Sequence, residues 1–221
     1  MSERGVTRWR RRKEARPAEI LQAALASFQE RGFAGTRLED VAARAGVTKG
    51  TIYLYYPSKK ELFKAVVRSE LLPNIEWIEA ALHQPGPVAP LLERLFTFWA
   101  RDLFPSPISV LPKLVIAEAG NFPELAHFYL ETVVHRGLDL IASLLRRGIA
   151  AGEFRPVDVD HVVYCVVGPL LLTVLWKHSL GPHDDRPLDA EAVYRAHLDL
   201  ILHGLQAARS ARKTNRERSR P

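Results

Sequence analysis

A single cysteine, Cys165, in 221 residues rules out a disulfide framework, and its place inside an apolar run suits a reduced, cytoplasmic setting. No apolar segment follows the basic start "MSERGVTRWRRRKEAR", so a secretory signal is not expected. The longest apolar run, "VVYCVVGPLLLTVLW" at 162–176, falls short of the roughly 20 residues that cross a bilayer, and no membrane partner is expected. Alternation of apolar and polar residues is scarce, which leaves little for β-strands. Also missing are Gly-x-Ser-x-Gly, His-Glu-x-x-His, a phosphate-binding loop and a dinucleotide fingerprint. No catalytic residue, cofactor or metal is therefore expected. "HSLGPHDD" (178–185) does gather two histidines and two aspartates, but the plainer reading is a polar connector.

What is present is helical spacing. With 47% apolar residues the chain can bury a sizeable core, and apolar positions recur at intervals of three and four. A first helix follows Pro17, carries Ile20, Leu21, Ala24, Leu25 and Phe28 on one stripe, and stops near Gly32. "TRLE" (36–39) matches a capping box, with Thr36 and Glu39 as its reciprocal pair, and opens a short second helix that ends at Gly46. Thr48 can cap a third helix, which must end by Pro57. "SKKE" (58–61) opens a fourth, running through Phe63 and Val67 to Pro73. Helices at about 89–104, 108–119, 122–151, 158–179 and 188–209 follow, separated by Pro and Gly. The expected fold is all-α with about nine helices.

Charge divides the chain. Residues 1–60 carry 13 Lys/Arg against 6 Asp/Glu, residues 61–208 carry 12 against 18, and residues 209–221 carry 6 against 1. A basic module, an acidic middle and a basic tail suggest that one end meets a polyanion. The second and third helices, joined at "AGV" (45–47), form a helix-turn-helix in which Gly46 supplies the left-handed turn residue. Val47, Ile52 and Tyr56 face inward. Thr48, Lys49, Gly50, Thr51, Tyr53 and Tyr55 are left on the outer surface, a set suited to a DNA major groove. Lysine donates to guanine, threonine and tyrosine reach phosphates, and a bare glycine permits close approach.

"GFAGTRLEDVAARAGVTKGTIYLYYPSKKELFKAVV" (32–67) resembles the DNA-binding domain of TetR/AcrR-type transcriptional repressors in turn, caps and aromatic spacing. The resemblance implies that Lys49, Gly50 and Tyr53 meet base edges or adjacent backbone, and that Thr36, Thr48, Thr51, Tyr55 and Lys59 contact phosphates. Arg37 departs from the family's usual second Thr and is open between a phosphate clamp and a base contact. Tyr56 stands where the family usually has Phe, and its hydroxyl needs a partner or the surface. The domains expected are a basic disordered arm (1–16), a helix-turn-helix domain (17–67), a ligand-binding and dimerisation domain (68–208) and a basic disordered tail (209–221). The arm either follows a minor groove or merely attracts phosphates.

Beyond residue 88 there are more large apolar residues than one face per helix requires, which points to an apolar cavity or to a second buried face. The resemblance implies both: an effector pocket, and a homodimer through the last two helices that reads a palindromic operator in double-stranded DNA. Val193, His197, Leu200, Ile201 and Leu205 would form the last helix's partner stripe. Pocket candidates are Phe96, Trp99, Leu103, Leu114, Glu118, Phe128, Tyr129, Tyr164 and Leu171, each of which can equally be ordinary core. Glu118 could meet a cationic ligand, Lys113 or a backbone amide. The function implied is a repressor released by a small-molecule effector of unknown identity. The alternative is a DNA-binding dimer whose larger domain is a solid scaffold or protein-partner surface.

Overall fold

The computed structural model describes residues 3–206, with side chains from residue 16 onward. Ten helical segments follow in order: α1 (Glu3–Gly35), α2 (Leu38–Arg44), α3 (Lys49–Tyr55), α4 (Lys59–Leu82), α5 (Val88–Phe98), α6 (Leu111–Glu118), α7 (Pro123–Tyr129), α8 (His135–Ala150), α9 (Val159–Leu175) and α10 (Ala190–Leu205). A π turn, Leu130–Val134, joins α7 to α8 without a break, so the helical rods number nine among the described residues. Two further π turns extend α5 (Trp99–Leu103) and α9 (Trp176–Leu180), and a 3-10 turn, Pro107–Val110, leads into α6. There is no strand among the described residues, only an isolated bridge between Phe154 and Gln206. The fold is all-α, as the spacing of apolar residues requires.

Two helix limits differ from the sequence reading. α1 begins at Glu3 and contains Pro17, and α4 runs through Pro73 to Leu82. A proline inside a helix removes one ladder bond and crowds the carbonyl four residues back, but neighbouring turns can carry the helix through. At Pro73 the next residue helps, because Asn74 Nδ2 donates to the Glu70 carbonyl at 2.6 Å. Residues 4–16, expected as a disordered arm, are thus helical backbone. Their side chains up to residue 15, and the tail at 209–221, lie outside the described residues.

The first core is built by α1, α2, α3 and α4. Ile20, Ala24, Phe28, Phe33, Val41, Ile52, Leu62, Phe63 and Val66 are almost wholly shielded from solvent. Phe28, Phe33 and Phe63 form a triangle with centroids 5.4–5.7 Å apart, mixing stacked and edge-to-face contacts that suit the aromatic quadrupole. This core does not stop at the end of the helix-turn-helix segment. Leu111, Leu114, Val115, Leu125 and Tyr129, from the 107–134 stretch, belong to the same apolar cluster, and Phe122 packs edge-on against Phe33 at 4.9 Å. A second core lies among α5, α8, α9 and α10, around Leu92, Phe96, Leu144, Leu145, Val166, Leu170 and Tyr194.

Candidate nucleic-acid interface and effector region

Residues 36–59 are shaped by local chemistry. Gly46 takes φ 64°, a conformation that costs other residues steric strain, and so turns the chain between α2 and α3. Thr48 caps α3: its Oγ1 accepts the Thr51 amide at 3.2 Å and lies 2.9 Å from the Thr51 hydroxyl. Ser58 caps α4 in the same way, accepting the Glu61 amide at 3.2 Å. Ile52 is fully buried and anchors α3 to the core, with Tyr55 and Tyr56 half-buried beside it. Burial raises the Tyr56 phenol pKa.

The outward surface of α3 is formed by Lys49, Gly50, Tyr53 and Leu54, with Thr48 exposed at its start. Leu54, 81% exposed, escaped the sequence reading. Its signal was available: between Tyr53 and Tyr55, on a helix whose inner face Ile52 already fills, a leucine has no core to enter. An exposed leucine there offers the apolar contact that a thymine methyl takes.

Glu39 of α2 lies across this surface. Its carboxylate accepts from Lys49 Nζ at 2.7 Å and from the Tyr53 hydroxyl at 3.3 Å. The hydrogen bond from Lys49 holds the Glu39 pKa below the usual carboxylate range, and the same pairing raises that of Lys49. Both groups are solvent-exposed, so the latch is weak and screened by salt. Replacing Glu39 with Gln should free Lys49 and remove a repulsive charge, tightening binding to random duplex by no more than about fivefold at low salt. Parallel filter-binding titrations check this, and the gain should vanish at high ionic strength. Weaker binding by the variant would mean that Glu39 itself contacts the nucleic acid.

Two of the expected phosphate ligands are occupied elsewhere. Thr36 is buried at 1% exposure, and its hydroxyl is shared between the Gly32 and Ser27 carbonyls at 2.7 and 3.1 Å. The expected capping box is therefore absent: Arg37 holds the N-cap position of α2 without a side-chain bond, and Glu39 faces Lys49. Gly32, at φ 72°, interrupts α1 and brings its carbonyl to Thr36. Lys59 donates to the Phe33 and Ala34 carbonyls at 2.6 and 3.0 Å and lies over the Phe33 ring. Burial lowers its pKa, opposed by the nearby Glu118 carboxylate.

Glu118 completes that junction. It accepts the Ala34 amide at 3.1 Å and Asn121 Nδ2 at 3.2 Å, so of its three possible partners a backbone amide holds it. Lys60 and Glu124 form an ion pair nearby, and Lys64 and Arg68 flank the Phe128 ring at 5.8 and 4.9 Å. The end of α6 and the start of α7 are thereby fastened to α1 and α4.

The nine pocket candidates are not gathered round one void. Leu103, Leu114 and Tyr129 are buried in the first core, Phe96 in the second, and half-buried Trp99 packs against both. Burial pushes the Tyr129 pKa up. Phe128 sits under two cations, Glu118 is bonded to the α1 backbone, and Tyr164 and Leu171 face solvent, at 63% and 37% exposure. The reason is economy of packing: helices that close on one another fill the space with the same bulky side chains that a cavity would display. A cleft beside Trp77, Leu91, Arg94 and Leu95 has room for little more than one water, about 10 Å³. No group of three or more His, Cys, Asp or Glu converges for metal binding among the described residues. In the 178–185 loop, His178 pairs with Ser109 and Asp184 with Arg186.

A two-helix DNA-reading unit fastened to a larger helical bundle defines a helix-turn-helix transcriptional regulator, a class without enzymatic activity. Residues 20–66 match the family described as "Bacterial regulatory proteins, tetR family", and residues 86–208 match "Tetracyclin repressor-like, C-terminal domain". The chain belongs to the TetR family of DNA-binding transcriptional regulators. It is 31% identical over 149 residues to the uncharacterized HTH-type transcriptional regulator YfiR of Bacillus subtilis, covering 66% of this chain and 71% of that one. It is 29% identical over 200 residues to the HTH-type transcriptional repressor KstR2 of Mycolicibacterium smegmatis, covering 86% and 91%. Among solved structures, the fold is similar to PfmR, a TetR family regulator from Thermus thermophilus (TM-score 0.66, 29% identity, 85% and 99% covered). It is also similar to FadR of Bacillus subtilis, solved in complex with stearoyl-CoA (TM-score 0.73, 22% identity, 86% and 99% covered).

Proposed function

We propose that this regulator is a homodimeric repressor that holds a palindromic operator in the cytoplasm and is released from it by a small-molecule effector. The observation that carries the DNA reading is the outward surface of α3, where Lys49, Gly50, Tyr53 and Leu54 stand clear of the core. In this reading those four meet base edges, while Arg37, Thr48, Thr51 and Tyr55 contact phosphates. Thr36 and Lys59 act instead as braces that position the unit. Dimerisation is supported by α9, where Tyr164, Cys165, Gly168, Leu171 and Leu172 are all exposed at intervals of three and four, and by Leu200 of α10 at 71% exposure. Leu205, expected on the same stripe, is buried in its own bundle.

The extension of α9 to His183 is long and apolar enough to cross a membrane by composition, with a mean hydropathy of 1.7 over its best window. A partner subunit covering its outward stripe accounts for that character equally well. The scaffold reading gains one observation, that the cleft beside Trp77, Leu91, Arg94 and Leu95 is too small for an effector. Under the ligand reading an effector that enters there must open its own space, and its effect is limited by how much better it binds the opened form.

The test is a salt-dependent titration of upstream intergenic DNA by wild type and by a Lys49→Ala, Tyr53→Ala double variant, against random duplex. A base contact of this kind contributes about 1–3 kcal/mol, so the double variant should lose at least about 30-fold in operator affinity and most of its preference over random DNA. Equal binding of both proteins to both duplexes would leave only nonspecific attraction by the basic segments and would end the proposal.

A further inference from the structure

The two π turns that extend α5 and α9 meet at a cluster of basic groups with no acidic partner among the described residues. Lys177, in the turn Trp176–Leu180, donates to the Phe104 carbonyl and to Ser109 Oγ at 3.1 Å, and lies 4.7 Å from the Phe104 ring centroid. The turn Trp99–Leu103 is closed by the Phe104 amide on the Trp99 carbonyl at 2.8 Å, so it sets the position of that acceptor. His178 Nε2 is 2.9 Å from Ser109 Oγ, and Ser109, buried at 7% exposure, is also bonded to the Ser106 carbonyl at 2.8 Å. With the serine hydroxyl donating to Ser106, its lone pairs accept from Lys177 and from a neutral His178 bearing its proton on Nε2. Burial, reinforced by the charges of Lys177 and Lys113, pushes the His178 pKa down to about 4, and burial lowers that of Lys177. Neither lysine makes an ion pair with a carboxylate among the described residues.

Partly desolvated cations are ordinarily paired, because burial without a counter-charge is costly. Here Lys177 is balanced only by neutral acceptors, the Phe104 carbonyl and Ser109 Oγ, and the charge of Lys113 reaches the neighbouring His178. π turns are rare in helices and occur frequently at functional sites. We propose that Lys177, with Lys113 and Ser109, forms the recognition point for the oxyanion end of the effector, a carboxylate or phosphate on an apolar body. This rests on the ligand-released reading above.

The placement supplies a route to the DNA-binding unit. Ser109 lies in the 3-10 turn Pro107–Val110, which with α6 packs on α1 through Ile108, Val110 and Leu111 in the first core. An incoming oxyanion offers Lys177 a charge-assisted hydrogen bond, roughly twice as strong as one to a neutral carbonyl or hydroxyl. It competes with the Phe104 carbonyl and with Ser109, and so loosens the clasp between the α9 extension and the turn that supports α1.

The experiment uses the full chain with three probes of matched body: octanoate, octyl phosphate and octanol. Binding is followed by calorimetry, and operator release by the shift in the DNA titration, for wild type and for Lys177→Met, which keeps the apolar stem. Lys113→Gln is run alongside in case Lys177→Met melts early. At least one oxyanion probe should bind at least tenfold more tightly than octanol and weaken operator binding, and either substitution should reduce that preference to about threefold or less. Octanoate or octyl phosphate as the better probe tells which oxyanion is favoured. Equal binding of all three probes to wild type, or a preference that survives both substitutions, overturns the proposal. Operator release by octanol alone would overturn it while leaving the ligand-released reading intact. Absence of any palindrome-specific DNA binding would instead remove that reading itself.

Discussion

Phe63→Ala should lower the melting temperature by about 6–20 °C. Phe63 is 1% exposed and touches both Phe28 and Phe33 edge-on, with centroids 5.4 Å away in each case. Truncating a buried phenylalanine costs about 3–5 kcal/mol, from lost transfer energy and from the cavity left behind. Native stabilities are commonly about 5–15 kcal/mol, so one side chain accounts for a large share. For a chain of this length each kcal/mol moves the midpoint by about 2–4 °C. Thermal melting followed by far-ultraviolet circular dichroism measures it directly, and a shift below about 3 °C would mean that the triangle relaxes around the gap. Lys59 lies over Phe33 and holds the carbonyls at the end of α1, so the damage should reach the orientation of the helix-turn-helix as well.

The second large effect concerns assembly. Under the proposed homodimer, a Leu172→Glu, Leu200→Glu double variant should be monomeric at a micromolar concentration at which the wild type sediments as a dimer. These leucines are 61% and 71% exposed in the isolated chain, so the substitutions should barely change the stability of a subunit. In a two-fold interface each substitution appears twice, placing four carboxylates in an apolar contact. Operator affinity should fall by about 100-fold or more, because two linked half-site contacts become one. Analytical ultracentrifugation reports the assembly and the DNA titration its consequence. A variant that remains dimeric would place the partner surface elsewhere, with the cleft beside Trp77 as the next face to test.

The elements that could be read from the sequence are those whose signals are local. Thr48 and Ser58 cap the helices that their positions imply, Gly46 takes the left-handed conformation, and the helices after residue 88 begin and end within a few residues of the Pro and Gly breaks. Thr36 was misread because the same residue type serves a cap or a core carbonyl, and only the interruption of α1 at Gly32 decides which. Pro17 and Pro73 were read as boundaries because proline raises the cost of helix without forbidding it. Glu118, Lys59 and the Lys177 cluster depend on partners 25 to 84 residues away, which no periodicity reveals. The pocket candidates are no more legible, because bulky apolar residues at helical spacing look the same whether they surround a void or fill one.

The shared first core also bears on how such regulators can be recombined. Charge and composition draw the border between the two units near residue 67, yet Phe33 leans on Phe122, Ala34 is bonded to Glu118, and the helices on either side bury one apolar cluster. A chimera cut at that border would give the DNA-reading segment a foreign floor. Residues 17–67 rest on patches of 107–134, and an exchange of the larger helical portion between relatives must leave those patches in place.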